Sequence, residues 1–451
     1  MPSSPSDLIV RRLTEGSASS AELEQAIGQS QSAVSRRLRE LISQRVVIRL
    51  GTTRGARYAL LREIEGIGKQ WPLRRIDEQG DIHALGMLSA LASDEYHFDP
   101  ATEQFAWSGL SEGIPYFLQD QRPGGFLGRA VPQRYPELGL PQRVIDWNDD
   151  HYLRYLTQRG GDTVGDLILG DAALDQYLGQ QRHRLPIADA ERLARYPQLA
   201  TQVLEGGLPG SSAHGEHPKF STLIEDASGP KHVIVKFSPI VTTAVGRRWS
   251  DLLIAEHIAH EVLGEAGLPA ARSRMLQAAD RTYLEVDRFD RHGPEGRTGV
   301  TSLLSVDASL YGKIDNWISS ATRLRADGRI SEGTLEQVRL AATFGELIAN
   351  TDRHFGNLAF IDRYDGEFAL APIYDMLPML YKPEHDQIVE RVFEPPTPTT
   401  STMQSYGRAR ELAERYWGRC ARDSQISAEF QAISTACLGA LRALPRTGAY
   451  V

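Results

Sequence analysis

The chain has 451 residues, of which 41% are hydrophobic and 24% charged, with a net charge of -8. That length exceeds a single hydrophobic core and predicts two or three domains of ordinary globular composition. No stretch approaches the roughly 20 consecutive apolar residues of a membrane span, and Met1-Pro2-Ser3-Ser4-Pro5-Ser6 lacks the basic start and apolar run of a secretory signal. Cys420 and Cys437, the two cysteines, read as buried thiols rather than a disulfide, so a reducing cytoplasmic location is expected.

The net charge hides an asymmetry. Residues 1–60 carry nine Arg and five acids, a charge of +4, which leaves -12 for the rest. A small basic module therefore precedes an acidic body. In that module Ser20 is the expected cap of a helix that places Leu23 and Ile27 on one face, and Gly28 ends it. Ser30 is the expected cap of a second helix, in which Val34, Leu38, Leu41 and Ile42 keep helical spacing while Ser35, Arg36, Arg37 and Arg39 point elsewhere. Val46–Leu50 and Arg57–Leu60 are expected as strands flanking a tip that contains Arg54. This order predicts a winged helix-turn-helix domain over residues 1–65. Such a fold places the N-terminal residues of its second helix in the major groove. Ser32, Ser35, Arg36, Arg37 and Arg54 are accordingly the candidate contacts to double-stranded DNA. The alternative is a small winged domain that binds protein.

Residues 66–205 form a second region with few chemical signals. Gly124, Gly125 and Gly128 resemble a phosphate cradle only superficially, because no strand-to-helix context or P-loop lysine accompanies them. A structural turn is the reading. Residues 206–295 then order like a kinase N-lobe. A small-residue loop, Ser211 to Lys219, leads into strands at Phe220–Ile224 and His232–Phe237 around the turn Ser228-Gly229-Pro230. A helix from Asp251 to Ala266 and a strand from Tyr283 to Asp290 follow. Residues 296–451 are read as a helical C-lobe, with helices over Val338–Ile348 and within Met403–Leu444.

The chemistry concentrates in Asn350-Thr351-Asp352-Arg353-His354-Phe355-Gly356-Asn357. It holds an Asp and an Asn five positions apart, the spacing of a kinase catalytic loop, where the Asp takes the proton of the attacking hydroxyl and the Asn holds a metal ion. Asp375, expected on a neighbouring strand, is the candidate second metal ligand. Lys236 ends an apolar strand, where a cation needs an anionic partner, and Glu256 lies 20 residues on in the next helix. Taken alone, Lys236 would read as a strand-end lysine reaching water; with Asp352, Asn357 and Asp375 downstream in order, the phosphate-gripping role leads. The loop over Ser211–Lys219 could cover phosphates with its amides, or be a plain loop tip. His214, His217, His257 and His260 match no zinc motif and are read as surface or packing residues.

Asn350–Asn357 with Tyr374-Asp375, the Ser212-x-x-Gly215-x-x-Pro218-Lys219 loop, Val235-Lys236-Phe237 and Val286-Asp287-Arg288-Phe289-Asp290-Arg291 together resemble the HipA family of serine/threonine kinases, toxins of bacterial toxin–antitoxin systems. The resemblance spans about residues 110–445. A winged helix in front, with Pro115–Leu118 and Gly125–Arg129, is similar to the family's YjjJ-like subgroup. The resemblance implies an α+β, bilobal protein-kinase-like fold that uses ATP and Mg. It implies Asp352 as catalytic base, Asn357 and Asp375 as Mg ligands, and Lys236 on the phosphates with Glu256 at the matching helix position. Asp287 and Phe289 would contact adenine, and Gly215 would lie in the loop over the nucleotide. Ser212 matches a serine that family members autophosphorylate. The implied partner is a protein substrate, a translation factor or an aminoacyl-tRNA synthetase, and a homodimer is compatible with the family. Two departures stand out: the DNA-binding module is fused rather than separate, and His214, Glu216 and His217 occupy the loop. A nucleotide-sensing transcription regulator and a small-molecule kinase remain the competing readings.

Overall fold

A computed structural model describes residues 4–51, 55–102, 105–181, 185–205 and 217–445. Arg54, Ser212, Gly215 and His214 lie outside the described residues.

The N-terminal region holds helices Pro5–Leu13, Ser20–Ile27 and Gln31–Ser43 and a three-stranded antiparallel sheet in which Arg57–Leu60 lies between Ala18–Ser19 and Val47–Leu50. Ile9, Leu13, Leu23, Val34, Leu38 and Val47 close its core. The cap of the second helix is Ser19, one residue before the expected Ser20. Glu22 decides this: its carboxylate accepts the Ser19 amide at 2.6 Å while the Ser19 hydroxyl accepts the Glu22 amide, a reciprocal capping box. Ser30 does stand at the start of the third helix, but its hydroxyl meets Ser32 Oγ at 3.1 Å and caps no amide.

Arg62 joins this unit to the next one. Its guanidinium donates to both Asp150 carboxylate oxygens at 2.8 Å, to the Leu91 carbonyl and to the Tyr96 hydroxyl. The middle region is a five-stranded antiparallel sheet in the order Gly109–Glu112, Glu95–Pro100, Ile82–Ala90, Gln70–Ile76, Leu167–Leu169. Helix Asp149–Arg159 lays Tyr152, Leu153 and Leu156 onto the apolar face of this sheet. The Gly124–Gly128 stretch is a short helical turn whose Gly128 leaves room for Pro123, since a Cβ there would sit 2.7 Å from the Pro123 carbonyl carbon.

The third unit is a second five-stranded sheet, in the order Ser273–Ala278, Arg281–Asp287, Gly229–Phe237, Lys219–Asp226, Ile187–Ala188, with the last strand parallel to its neighbour. Asp226 pairs with Gly229, so the hairpin turns on Ala227-Ser228, earlier than expected. The Asp226 carboxylate accepts the Ser228 amide at 2.8 Å and its hydroxyl, which draws the turn forward. Pleating divides the strand Gly229–Phe237 between two faces. Val233, Val235 and Phe237 join a core with Tyr196, Ala200 and Val203 of helix Arg192–Leu204, whereas Ile234 and Lys236 face the opposite side. The expected division at 205/206 thus falls after a strand and a helix that pack on this sheet. Helix Ala244–Glu265 begins earlier than the expected Asp251, because the Thr243 hydroxyl caps Gly246 at 3.0 Å.

The C-terminal unit gathers helices Leu303–Leu310, Trp317–Ala326, Glu332–Leu347, Met403–Cys420 and Ala428–Ala443 around one large core, beside a small sheet of Val300–Ser302, Ala359–Asp362 and Phe368–Leu370. The helical run expected from Met403 breaks into two helices where Ser427 caps Phe430 and donates to Asp251 at 2.6 Å. Among the described residues no helix is long and apolar enough to cross a membrane.

Candidate active site

The two lobes face each other across a cleft that Lys236, Glu256, Asp287, Phe289, Asn357 and Asp375 line together. Each reaches it for a local reason. Lys236 stands on the cleft-facing side of its strand, level with Leu284 and with Lys219 on the two flanking strands. Glu256 projects from the helix that packs on that sheet and is almost wholly buried. Asn357 closes the short turn Phe355–Asn357 after the polar loop. Asp375 is not on a strand, contrary to expectation. It follows Ile373, which bridges to Ala270, and takes a left-handed φ of 52°. A non-glycine residue is rarely held in that region except where surrounding contacts impose it. Here Asn350 Nδ2 donates to the Asp375 carbonyl at 3.3 Å and Tyr374 Oη to the Gly356 carbonyl at 2.8 Å.

Lys236 Nζ donates to Glu256 Oε1 at 2.6 Å and also to Asp375 Oδ1. Burial alone would pull this lysine down, but the carboxylates of Asp375 and Glu256 outweigh it and hold the ammonium above its ordinary range. Burial likewise opposes ionisation of Asp375, yet Lys236 and Lys219 bring it to about 2. Glu256 moves the other way, pushed up by burial and by the negative charge of Asp375. Two acids share one ammonium, and the more deeply buried acid gives way.

Asp352 does not line this cleft. It is coupled to it by backbone: its amide donates to Asn350 Oδ1 at 3.0 Å, and its carbonyl accepts Asn357 Nδ2 at 2.7 Å. His354 braces the turn, its Nδ1 accepting the Gly356 amide at 3.1 Å and its carbonyl accepting Trp317 Nε1. His257 and His260 both engage the Ser273 hydroxyl, at 2.9 and 3.0 Å. His217 is half-buried against Trp249, and desolvation of its ring, then Lys236 and Lys219, lower it to about 3. Among the described residues no group of three or more His, Cys, Asp or Glu is placed to hold a metal.

Sequence reasoning missed several contributors. Tyr374 was marked in the sequence only as the neighbour of Asp375; it stacks on Phe289 with ring centroids 5.9 Å apart and binds the Gly356 carbonyl, so it links the segment after strand Arg281–Asp287, which stops short of the expected Asp290, to the Asn357 turn. Asn350 bridges the Asp352 and Asp375 segments from within the polar loop itself. Asp120 and Val164 enter the cleft from the middle region, and no local pattern marks them. In the N-terminal region Ser32 and Arg36 are exposed on helix Gln31–Ser43, Ser35 and Arg37 are half-buried, and Arg37 pairs with Glu40 at 2.9 Å.

Residues 211–441 match the HipA-like C-terminal domain, and residues 67–178 match the middle domain of the YjjJ-like toxins. The chain belongs to the HipA-like toxin family. The toxin YjjJ of Escherichia coli (strain K12) is 35% identical to it over 441 residues, 94% of each protein. In three dimensions the chain is similar to a chain of the Shewanella oneidensis MR-1 complex of HipA, HipB and operator DNA. The TM-score is 0.53 at 14% identity, over 84% of this chain and 98% of that one. The shared feature is the mixed helix-and-sheet HipA-like fold.

Proposed function

We propose that the protein is an ATP- and Mg-dependent protein serine/threonine kinase whose N-terminal domain is a winged helix that binds double-stranded DNA. The observation that carries the catalytic part is the pairing of Lys236 with both Glu256 and Asp375 in the cleft that Asn357 also lines. An ammonium anchored in this way offers a fixed positive charge to nucleotide phosphates, and phosphoryl transfer depends mainly on positioning and charge neutralisation.

The residues present suit Mg. Asn357 commits its Nδ2 to the Asp352 carbonyl, which leaves its amide oxygen as a donor to metal, and Asp375 is held ionised. One carboxylate, one amide oxygen and substrate phosphates form the kind of hard-oxygen set that Mg accepts. Bound there, the ion would neutralise phosphate charge. Lys236 orients the phosphates, and Phe289 and Asp287 flank the base. Asp352 takes the proton of the substrate hydroxyl as its oxygen bonds to the γ-phosphorus and the bond to ADP breaks. Ser212 is the proposed autophosphorylation site. In Asp352→Asn, nucleotide affinity is expected to persist while phosphate transfer from γ-labelled ATP is lost; undiminished labelling would refute the assignment.

A second reading, a nucleotide-sensing regulator without turnover, is favoured by one observation: Asp352 stands outside the cleft lining. Mass spectrometry of the purified protein separates the two, since only the kinase yields a Ser212 phosphate that Asp352→Asn abolishes. For the DNA arm, three helices, a sheet hairpin and the exposed Ser32 and Arg36 support the winged-helix reading. Arg36→Ala with Arg37→Ala is expected to weaken duplex binding and flatten its salt dependence by about two phosphate contacts.

A further inference from the structure

The cleft has two chemically different ends. Lys219, Lys236 and Asp375 make one ionic, while Ile234, Val286, Phe289 and Val300 give the other an apolar surface bordered by Asp287, Arg288 and Asp290. A nucleotide has the same polarity, anionic at one end and flat and apolar at the other. One member of the apolar end, Val164, comes from neither lobe but from the middle region.

Val164 is pinned on both sides by a buried ionic network. Arg291 Nη1 donates to the Gly165 carbonyl at 2.8 Å and Arg291 Nη2 to the Thr163 carbonyl. The Gly165 amide in turn donates to Asp290 Oδ2 at 3.0 Å, and Arg288 holds the same carboxylate at 2.7 Å. Arg297 Nη2 adds a bond to the Gly161 carbonyl at 2.6 Å. Gly165 has a φ of +78°, and a Cβ there would lie 3.4 Å from the Val300 amide nitrogen. A side chain at 165 is therefore disfavoured by conformation, while the space would admit it in ordinary contact with Val300. These bonds tie residues 161–165 to the segment that directly follows Asp287, and Val164 is the side chain they deliver to the cleft.

Resting on the kinase reading above, we infer that Val164 is a base-contacting residue of the nucleotide site, supplied by the middle domain and positioned by Arg288, Asp290 and Arg291. The middle domain is then a component of the nucleotide site rather than a spacer between DNA binding and catalysis. The contact is apolar and serves a purine base, not phosphate.

The test is calorimetry on the full-length protein with ADP and, separately, inorganic tripolyphosphate, comparing wild type with Val164→Phe. The expected result is ADP affinity weakened by about tenfold or more with tripolyphosphate affinity unchanged. Equal ADP affinity in the variant, or equal loss for both probes, would overturn the inference. Should the wild type bind no nucleotide at all, the kinase reading itself falls, a separate outcome. Should the variant misfold, hydrogen exchange on the wild type decides: ADP should slow exchange over residues 160–166 as well as 232–237. Protection confined to 232–237 would overturn it.

Discussion

Removing the ammonium of Lys236 while keeping its bulk, as in Lys236→Met, takes away the cation that Glu256 and Asp375 both bind and leaves them facing each other with Lys219 nearby. Breaking a buried ion pair by deleting one partner costs about 3–5 kcal/mol. The Asp375 side chain retains 22% exposure, so the lower end, about 3 kcal/mol, is the better figure. The pH dependence follows from the same charges. In the wild type, Asp375 sits at about 2, below its ordinary 3.8. Its contribution to stability is therefore present above 3.8 and lost as pH falls through about 2. In the variant both acids should titrate above their unfolded values. The folded state then binds protons that the unfolded chain does not, and the penalty grows as pH rises from 4 to 8. Thermal unfolding of the two proteins at pH 5 and pH 8 reads this directly. The expected result is a deficit at pH 8 that shrinks at pH 5. A variant as stable as the wild type at pH 8, or a deficit independent of pH, would refute the shared-ammonium description.

Further expectations concern residues around the site. Asp352→Asn should lower phosphoryl transfer by about 10²–10⁴-fold, the usual worth of a general base, with nucleotide affinity held, as seen by single-turnover labelling and calorimetry. Tyr374→Phe deletes the bond to the Gly356 carbonyl and should cost about 1 kcal/mol in unfolding free energy, with turnover reduced more than ATP binding. Arg192→Met removes the guanidinium that meets the buried Glu285 at 3.0 Å and leaves that carboxylate with the Tyr196 hydroxyl, and should destabilise the N-lobe by about 3 kcal/mol in denaturant titrations. Burial, aided by the charge of Asp166, pushes Asp362 up to about 7. Wild-type stability should therefore decline between pH 4 and 7 as this group ionises, and Asp362→Asn should flatten that part of the pH–stability curve.

How far the sequence announced this arrangement depends on the distance over which each signal acts. Lys236 faces the cleft because of strand alternation, and Val233, Val235 and Phe237 display that alternation in the sequence itself. Asn357 and Asp352 fall in one turn, so their proximity needed no tertiary knowledge. The helix bounds moved by a few residues where a single carboxylate or hydroxyl chose the cap, as Glu22 did for Ser19. Asp375 was misplaced onto a strand because a left-handed φ leaves no trace in residue type when the residue is not glycine. The absence of the half-exposed Asp352 from the lining was equally hidden; its backbone is held by bonds to Asn350 and Asn357. Val164 and Asp120 could not be found at all from local pattern. They reach the cleft through contacts spanning more than a hundred residues, such as Gly165 to Asp290.

The central claim is that Asn357 and Asp375 hold a divalent cation against nucleotide phosphates gripped by Lys236. Affinity for a non-hydrolysable ATP analogue, titrated with and without Mg in the wild type and in Asp375→Asn, tests it most directly. The wild type should bind more tightly when Mg is present, and the variant should lose that gain while retaining Mg-independent binding. A wild type indifferent to Mg, or a variant with the full Mg-dependent gain, would contradict it.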